Sequence, residues 1–326
     1  MRQPRLKVPP ETGPAIYHCI SRVVGGERLL DDPAKEVLRR QMWELADFCG
    51  LDLLTYALLS NHFHLLALVP QKTELTDAEL LRRFRARHPP VNRRQARFLQ
   101  GLATLLEQNG PAAQQWRQKQ RAMMGDLSQY MKLLKQGFTT WYNDRHERFG
   151  TLWAERFQSE LVEAARAGVV AAYIDLNSVR AGLVQDPKDY RCCGYAEAVA
   201  GNQRAQRGLA GALGLGEWPE VQAAYRVRLF GTAAMPREGA ASVSPQQLQE
   251  VMAAGGQLPL PEVLRCRIRY LSRGVVLGSL SWVQQQLAAH RARTGRKGSD
   301  RPWQLPGFTD WGDLAIGHRL HGPGFG

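Results

Sequence analysis

The stretch LDLLTYALLSNHFHLLALVP, residues 51–70, decides the fold. It holds two apolar runs, 51–59 and 62–69, each too short for a helix of a compact core, with the turn-forming pair Ser60-Asn61 between them. The reading is a β-hairpin buried on at least one face. Upstream, AIYHCISRVV (15–24) is rich in β-branched and aromatic residues and stops at Gly25-Gly26, as a strand ending in a turn does. Asp31-Asp32-Pro33 then opens a helix in which Val37, Leu38, Met42, Leu45 and Phe48 recur at helical spacing as far as Gly50. Downstream, residues 74–109 lose apolar pattern and gain charge, and they predict two helical pieces broken at Pro89-Pro90. Residues 126–144 place Leu127, Tyr130, Leu133, Leu134, Phe138 and Trp141 on one helical face, 157–162 return as a strand, and 164–179 form a further helix. Strand, helix, strand, strand, helix, strand, helix is the order of an α+β fold, with one mainly antiparallel sheet covered by helices. Gly and Ala are dense from 194 to 241, which predicts a connecting region with short helices. Residues 244–254, 258–270 and 281–294 predict a small helical C-terminal module, followed by a tail rich in Gly, Pro and charge.

An apolar content of 44% is enough for a substantial core. Lys and Arg outnumber Asp and Glu by 43 to 30, a formal charge of +13, and most of the cations are Arg. Such a balance favours a polyanionic partner, because each phosphate neutralised releases condensed counterions, although a solvated basic surface has the same composition. The first ten residues lack an apolar signal core, and no run approaches the roughly 18 apolar residues of a membrane span. The expectation is a cytoplasmic chain with no membrane partner. Five cysteines, Cys19, Cys49, Cys192, Cys193 and Cys266, are odd in number and show no CxxC, so reduced thiols are expected.

His62 and His64 flank Phe63, and strand alternation turns both imidazoles to one face. Two such rings can hold one divalent ion, or they can be core histidines with satisfied nitrogens. Tyr173 and Asn177 lie four apart and so share a helical face. Brought to the histidine strand, they would set a nucleophile beside a metal, whereas a Tyr within VVAAYIDL also reads as core. Tyr130 and Tyr142 are competing nucleophiles. No acidic residue lies on the histidine strand and Asp175 is off the Tyr173 face, which leaves a hydrolytic metalloenzyme short of a carboxylate. Arg145, Arg148 and Arg156 bracket Phe149 and Trp153, a mixture of phosphate neutralisers and rings on which bases stack, with core packing as the other reading of Trp153. Arginines from 82 to 97, and Arg265, Arg267, Arg269 and Arg273 around Tyr270, repeat the basic pattern.

Three segments, LLTYALLSNHFHLLALVP (53–70), FGTLWAERFQSELVE (149–163) and AAYIDLNSVRAGLVQDPKDY (171–190), together resemble the REP-associated branch of the single-tyrosine HUH transposases. The resemblance covers about residues 15–197. It implies a ferredoxin-like antiparallel sheet covered by helices in a domain over 1–197, with a basic helical insertion about 74–123; beyond it, composition marks a connecting region (198–243) and the C-terminal module (244–326). It further implies His62 and His64 as ligands of Mg²⁺ or Mn²⁺, Asn177 as completing that shell, and Tyr173 as the nucleophile that forms a 5′-phosphotyrosine and releases a 3′-hydroxyl. The implied partner is single-stranded or hairpin DNA in the cytoplasm, at the nucleoid, and a homodimer is compatible with it; the Arg and aromatic pattern itself makes Arg145, Arg148, Trp153 and Arg156 the candidate contacts. The alternative is a domesticated hairpin-DNA-binding protein without transposition activity. Ser178 departs from the family, which has Pro after the Asn, at a helix end rather than at the chemistry.

Overall fold

The computed structural model describes residues 5–9, 11–230, 271, 274–295, 301–304 and 313–317. Within it the alternating segment forms strand β1, Ala15–Arg22. The hairpin follows as β2, Asp52–Leu58, and β3, His62–Val69, with the Leu59 N–H donating to the His62 carbonyl at 2.8 Å across the turn. Between β1 and the hairpin runs α1, Asp32–Cys49. The Asp31 side chain accepts from the Ala34 N–H at its start, and Gly50 ends it in the left-handed region at φ 67°.

The basic insertion is three helices, α2 (Asp77–Arg87), α3 (Arg93–Gln108) and α4 (Pro111–Arg121), with the expected break at Pro89-Pro90 and a third helix starting on Pro111. Helix α5, Leu127–Arg145, then leads to β4, Gln158–Val162. The sheet order β2-β3-β1-β4 has antiparallel neighbours throughout, the ferredoxin-like arrangement.

The predicted helix over 164–179 is interrupted. After a 3₁₀ turn, α6 covers Ala167–Asp175, the backbone tightens at Leu176, and α7 covers Asn177–Arg180. Three further helices follow in the span expected to be a connection: α8 (Gly194–Val199), α9 (Gln203–Leu213) and α10 (Trp218–Phe230). In the C-terminal region, 244–254 and 258–270 lie outside the described residues, while the helix expected over 281–294 is α11, Leu280–Thr294. That region also supplies strands that sequence periodicity did not predict. Strand β5, Val276–Ser279, runs parallel to β4, and β6 (Trp303–Gln304) and β7 (Leu314–Gly317) complete a seven-stranded sheet in the order β2-β3-β1-β4-β5-β7-β6.

Both faces of the sheet are covered. Tyr17, Cys19, Leu65 and Ala67 pack under α1, α5 and α11 with Leu38, Met42, Leu134, Phe138 and Leu287. Ile16, Leu66 and Val162 pack on the opposite face under α6, α8, α9 and α10 with Val170, Tyr195, Leu209 and Tyr225. Helix α9 comes so close to β2 that a Cβ on Gly208 would lie 2.3 Å from the Leu53 carbonyl oxygen, a rigid backbone atom. Each large apolar side chain fully buried this way contributes about 1.5–3 kcal/mol. Polar groups on such a face oppose folding unless their hydrogen bonds are made inside it. The α6 face carries several of them in one place.

Candidate active site

Strand register gathers the polar residues. Opposite partners in an antiparallel pair point to the same side, so the pairs Arg22↔His62, Ile20↔His64 and His18↔Glu160 set Arg22, His18, His62, His64 and Glu160 on the face that α6 covers. His18 is 1% exposed, and His64 and Glu160 are 3% exposed. Tyr173 descends on them from α6, its ring edge-on to His18 at 6.0 Å and to His64 at 6.1 Å between centroids, while His62 and His64 lie 5.1 Å apart. The two histidines and the tyrosine singled out in the sequence therefore share one cluster. Asn177, one turn on, donates its Nδ2 protons to the carbonyls of Tyr173 and Ile174 at 3.2 and 3.0 Å, which leaves Oδ1 as an acceptor.

Each imidazole has one nitrogen engaged behind it. His62 Nδ1 lies 2.6 Å from Asn61 Oδ1, and because Asn61 Nδ2 donates to the Gly26 carbonyl, the oxygen is the atom facing His62. His62 Nδ1 therefore carries the proton. His64 Nδ1 lies 2.9 Å from His18 Nε2. Among the described residues neither Nε2 has a hydrogen-bond partner. Burial, then the charge of Arg22 and Arg180, holds His62 down at about 4, and burial, then His18 and His62, holds His64 well below the usual imidazole range. Two neutral rings with Nδ1 tied back and Nε2 available are the form in which histidine ligates a metal. The donor set thus fits a divalent ion bound by two nitrogens and further oxygens. Among the described residues no group of three or more His, Cys, Asp or Glu converges as a metal cage, since His18 is turned onto His64. The remaining ligands would be the Asn177 amide, the phenol or a substrate oxygen.

One arginine lies over the tyrosine and another stands beside the histidines. Arg180, seven residues along the same helical face, lies with its Cζ 4.2 Å over the Tyr173 ring and donates to the Tyr173 carbonyl at 2.6 Å. Arg22 is exposed at the His62 end of β1. Sequence reasoning missed His18, Arg22, Glu160 and Arg180. The period-two spacing of His18 and Arg22 in HCISR was the available signal for the first two.

The rival tyrosines lie elsewhere. Tyr130 and Tyr142 belong to the core under the opposite face, where Tyr130 donates to the Met42 carbonyl and Tyr142 stacks on His146 at 4.1 Å. Segment 146–156 skirts the His62 end of the sheet, with Val23 bridged to Trp153 and the Ala154 N–H bound to the Arg22 carbonyl. Within and beside it Arg145 and Arg156 are exposed and Arg148 is half-buried. Trp153 is 6% exposed, packs edge-on against Phe63 and donates its indole N–H to the Lys135 carbonyl, so it fills core rather than offering a stacking surface. The ring of this segment open to solvent is Phe149, 96% exposed. Cys19, Cys49, Cys192 and Cys193 are free thiols, and no helix among the described residues is long and apolar enough to cross a membrane.

Behind Tyr173 the same helix is anchored by Asp175, which is wholly buried. Its carboxyl accepts from Thr55 Oγ1 at 3.0 Å, from the Tyr225 hydroxyl at 2.5 Å and from the Tyr195 N–H at 3.3 Å. Burial outweighs these donors and raises its pKa to about 7. The raised value favours folding while the unfolded carboxyl is also protonated, below about 4. Stability from this group therefore falls as pH rises from there to about 7 and is flat beyond. Between pH 5 and pH 8 the parent should lose ~3 kcal/mol from Asp175, at 1.36 kcal/mol per unit. Asp175→Asn should lack that loss in urea melts at the two pH values. His62 and His64 contribute a slope of opposite sign to both proteins, so the difference between them isolates Asp175. Parallel pH profiles would show that the carboxyl is ionised throughout.

No protein-family model matches the chain, and no curated protein matches it. Among solved structures it is similar to a REP-associated tyrosine transposase bound to a REP hairpin, at 14% identity and a TM-score of 0.33, over 62% of this chain and 85% of that one.

Proposed function

We propose that this chain is a metal-dependent single-stranded DNA endonuclease and strand-transfer enzyme that works through a covalent tyrosine intermediate. The observation that carries the proposal is the meeting of Tyr173 with two neutral histidines whose Nε2 atoms have no hydrogen-bond partner among the described residues, under the positive charge of Arg180. Two of the three sequence segments that resemble the single-tyrosine HUH transposases, 53–70 and 171–190, contain these residues.

In the proposed step the Tyr173 oxygen attacks phosphorus, a Tyr–O–P bond forms and the bond from phosphorus to the 3′-oxygen of the preceding nucleotide breaks. The phenolic proton leaves to solvent and the departing 3′-oxygen takes one up. The products are a 5′-phosphotyrosine and a free 3′-hydroxyl, and attack by another 3′-hydroxyl reverses the step and joins strands. His62, His64 and Asn177 would hold Mg²⁺ or Mn²⁺, which supplies Lewis-acid stabilisation of charge on the scissile phosphate. Arg180 would hold positive charge over the Tyr173 ring, and Arg22, exposed opposite His62, would take phosphate charge at that end of the site.

Incubation of the protein with labelled single-stranded hairpins and Mn²⁺ tests the proposal on denaturing gels. Cleavage with the protein linked to the 5′ end of the downstream fragment is expected. Binding without cleavage would favour a hairpin-holding protein that has lost its chemistry.

Binding itself has a signature. Six phosphate contacts would give a slope of log affinity against log salt near −4, at about −0.7 per contact for single strands. Arg145→Ala or Arg156→Ala should lower the magnitude of that slope by about one contact's worth across all sequences. Phe149→Ala should cost about 1–3 kcal/mol of affinity at unchanged slope if bases stack on it. Its exposure means that fold stability should not move. An affinity indifferent to salt would remove the electrostatic part.

A further inference from the structure

The polar row on the α6 face continues behind His64 to two residues the proposed chemistry does not use. We propose that His18, set against Glu160, is a positioning residue that fixes the tautomer of His64 so that its Nε2 lone pair points into the site. This rests on the proposed role of His64 as a metal ligand. Three neighbouring strands build the relay, with Glu160 directly opposite His18 and His18 diagonal to His64, one pair removed from the Ile20↔His64 register. Diagonal neighbours on one face come within reach when both side chains are long. Here the rings stack at 5.1 Å with 20° between planes, and His18 Nε2 meets His64 Nδ1 at 2.9 Å.

One proton lies between those two nitrogens, and its position decides what His64 can do. If His64 Nδ1–H donates, Nε2 keeps its lone pair. If His18 Nε2–H donates instead, His64 turns an N–H toward Tyr173 and cannot ligate. Glu160 Oε2 faces His18 Nδ1 from 3.8 Å, beyond hydrogen-bond length but within electrostatic reach in a site sealed from water. An acceptor oxygen there favours the proton on His18 Nδ1, which leaves His18 Nε2 as the acceptor and puts the shared proton on His64.

The chain leading into the C-terminal strands crowds Glu160. A Cβ on Gly274 would lie 2.2 Å from Glu160 Oε1 and 2.5 Å from Ile316, so the chain entering β5 passes against the carboxyl with only a glycine's width. His62 is oriented in the same sense by Asn61, so both rings present Nε2.

The test uses the full chain in two readouts. In metal-free protein labelled with ¹⁵N-histidine, long-range proton–nitrogen correlation should find the His64 proton on Nδ1, and a proton on Nε2 overturns the proposal. In the absence of DNA, free Mn²⁺ counted by electron paramagnetic resonance should show His18→Phe binding about 10–100-fold more weakly than the parent. His18→Gln, whose amide oxygen can accept at the Nε2 position, should restore affinity to within a few-fold. Hairpin affinity measured in chelator should be the same for all three. Equal Mn²⁺ affinity in His18→Phe and parent overturns the relay. Should His18→Phe fail to fold, Glu160→Gln serves with the nitrogen readout: a weakened preference for Nδ1 on His64 supports the relay and an unchanged one overturns it. A parent that binds no Mn²⁺ defeats the proposed metal dependence, while the tautomer measurement still decides the relay.

Discussion

Tyr173→Phe should reduce cleavage and strand joining by on the order of 10³-fold or more, and it should eliminate the covalent adduct altogether. The substitution removes one oxygen and leaves the ring that packs edge-on to His18 and His64 and lies under Arg180. No hydrogen bond among the described residues depends on that hydroxyl, so thermal stability and hairpin binding should stay within experimental scatter of the parent. A loss confined to chemistry separates a nucleophile from a core tyrosine. Tyr142→Phe is the matched control, since Tyr142 sits under the opposite face of the sheet, and it should cleave normally.

Removal of a histidine should have the next largest effect. His62→Ala is expected to lower cleavage by at least ~100-fold, which corresponds to about 2.7 kcal/mol in the barrier at 1.36 kcal/mol per decade. Excess chelator should reduce the parent by as much. His62 is half-buried at the end of β3 and its removal leaves little cavity, so folding should be nearly intact. His64→Ala should match it in activity but melt lower. At 3% exposure it leaves a hole against His18 and strips His18 Nε2 of its partner. Comparable activity of His62→Ala and parent, or full activity in chelator, would take the metal out of the proposed chemistry.

Much of the fold was legible because its signals are local. The hairpin at 51–69 declares itself by two apolar runs and a turn pair, and α1 and α5 by an apolar stripe and a capping Asp at 31 and 126. Strands β5, β6 and β7 were not legible. Two to four residues are too few to show a period, and each is a strand only because β4 or a neighbour offers it a partner. The break at Leu176 was hidden for a related reason, since the apolar pattern runs on through it while the amide of Asn177 and the guanidinium of Arg180 bond back to carbonyls of α6.

The candidate site divides in the same way. His62 with His64, and Tyr173 with Asn177, are spaced by the periods of their own elements and were found from them. His18 is 46 residues from the His64 it bonds and 142 from Glu160, and register alone joins them. Composition could not separate Trp153 from Phe149 as a stacking ring. That choice depends on which ring the Val23 bridge pulls into the core. Nor could a pattern reveal that Asp175, two residues from Tyr173, is raised to about 7 by burial.

The most direct test of the central claim is to identify the residue that becomes attached to DNA. Protein incubated with a cleavable single-stranded hairpin and Mn²⁺, denatured, digested with nuclease and trypsin and weighed by mass spectrometry should carry a nucleotide on the peptide 167–180, at Tyr173. A nucleotide on the peptide 136–145, which contains Tyr142, or cleavage that leaves every tyrosine unmodified, would contradict it.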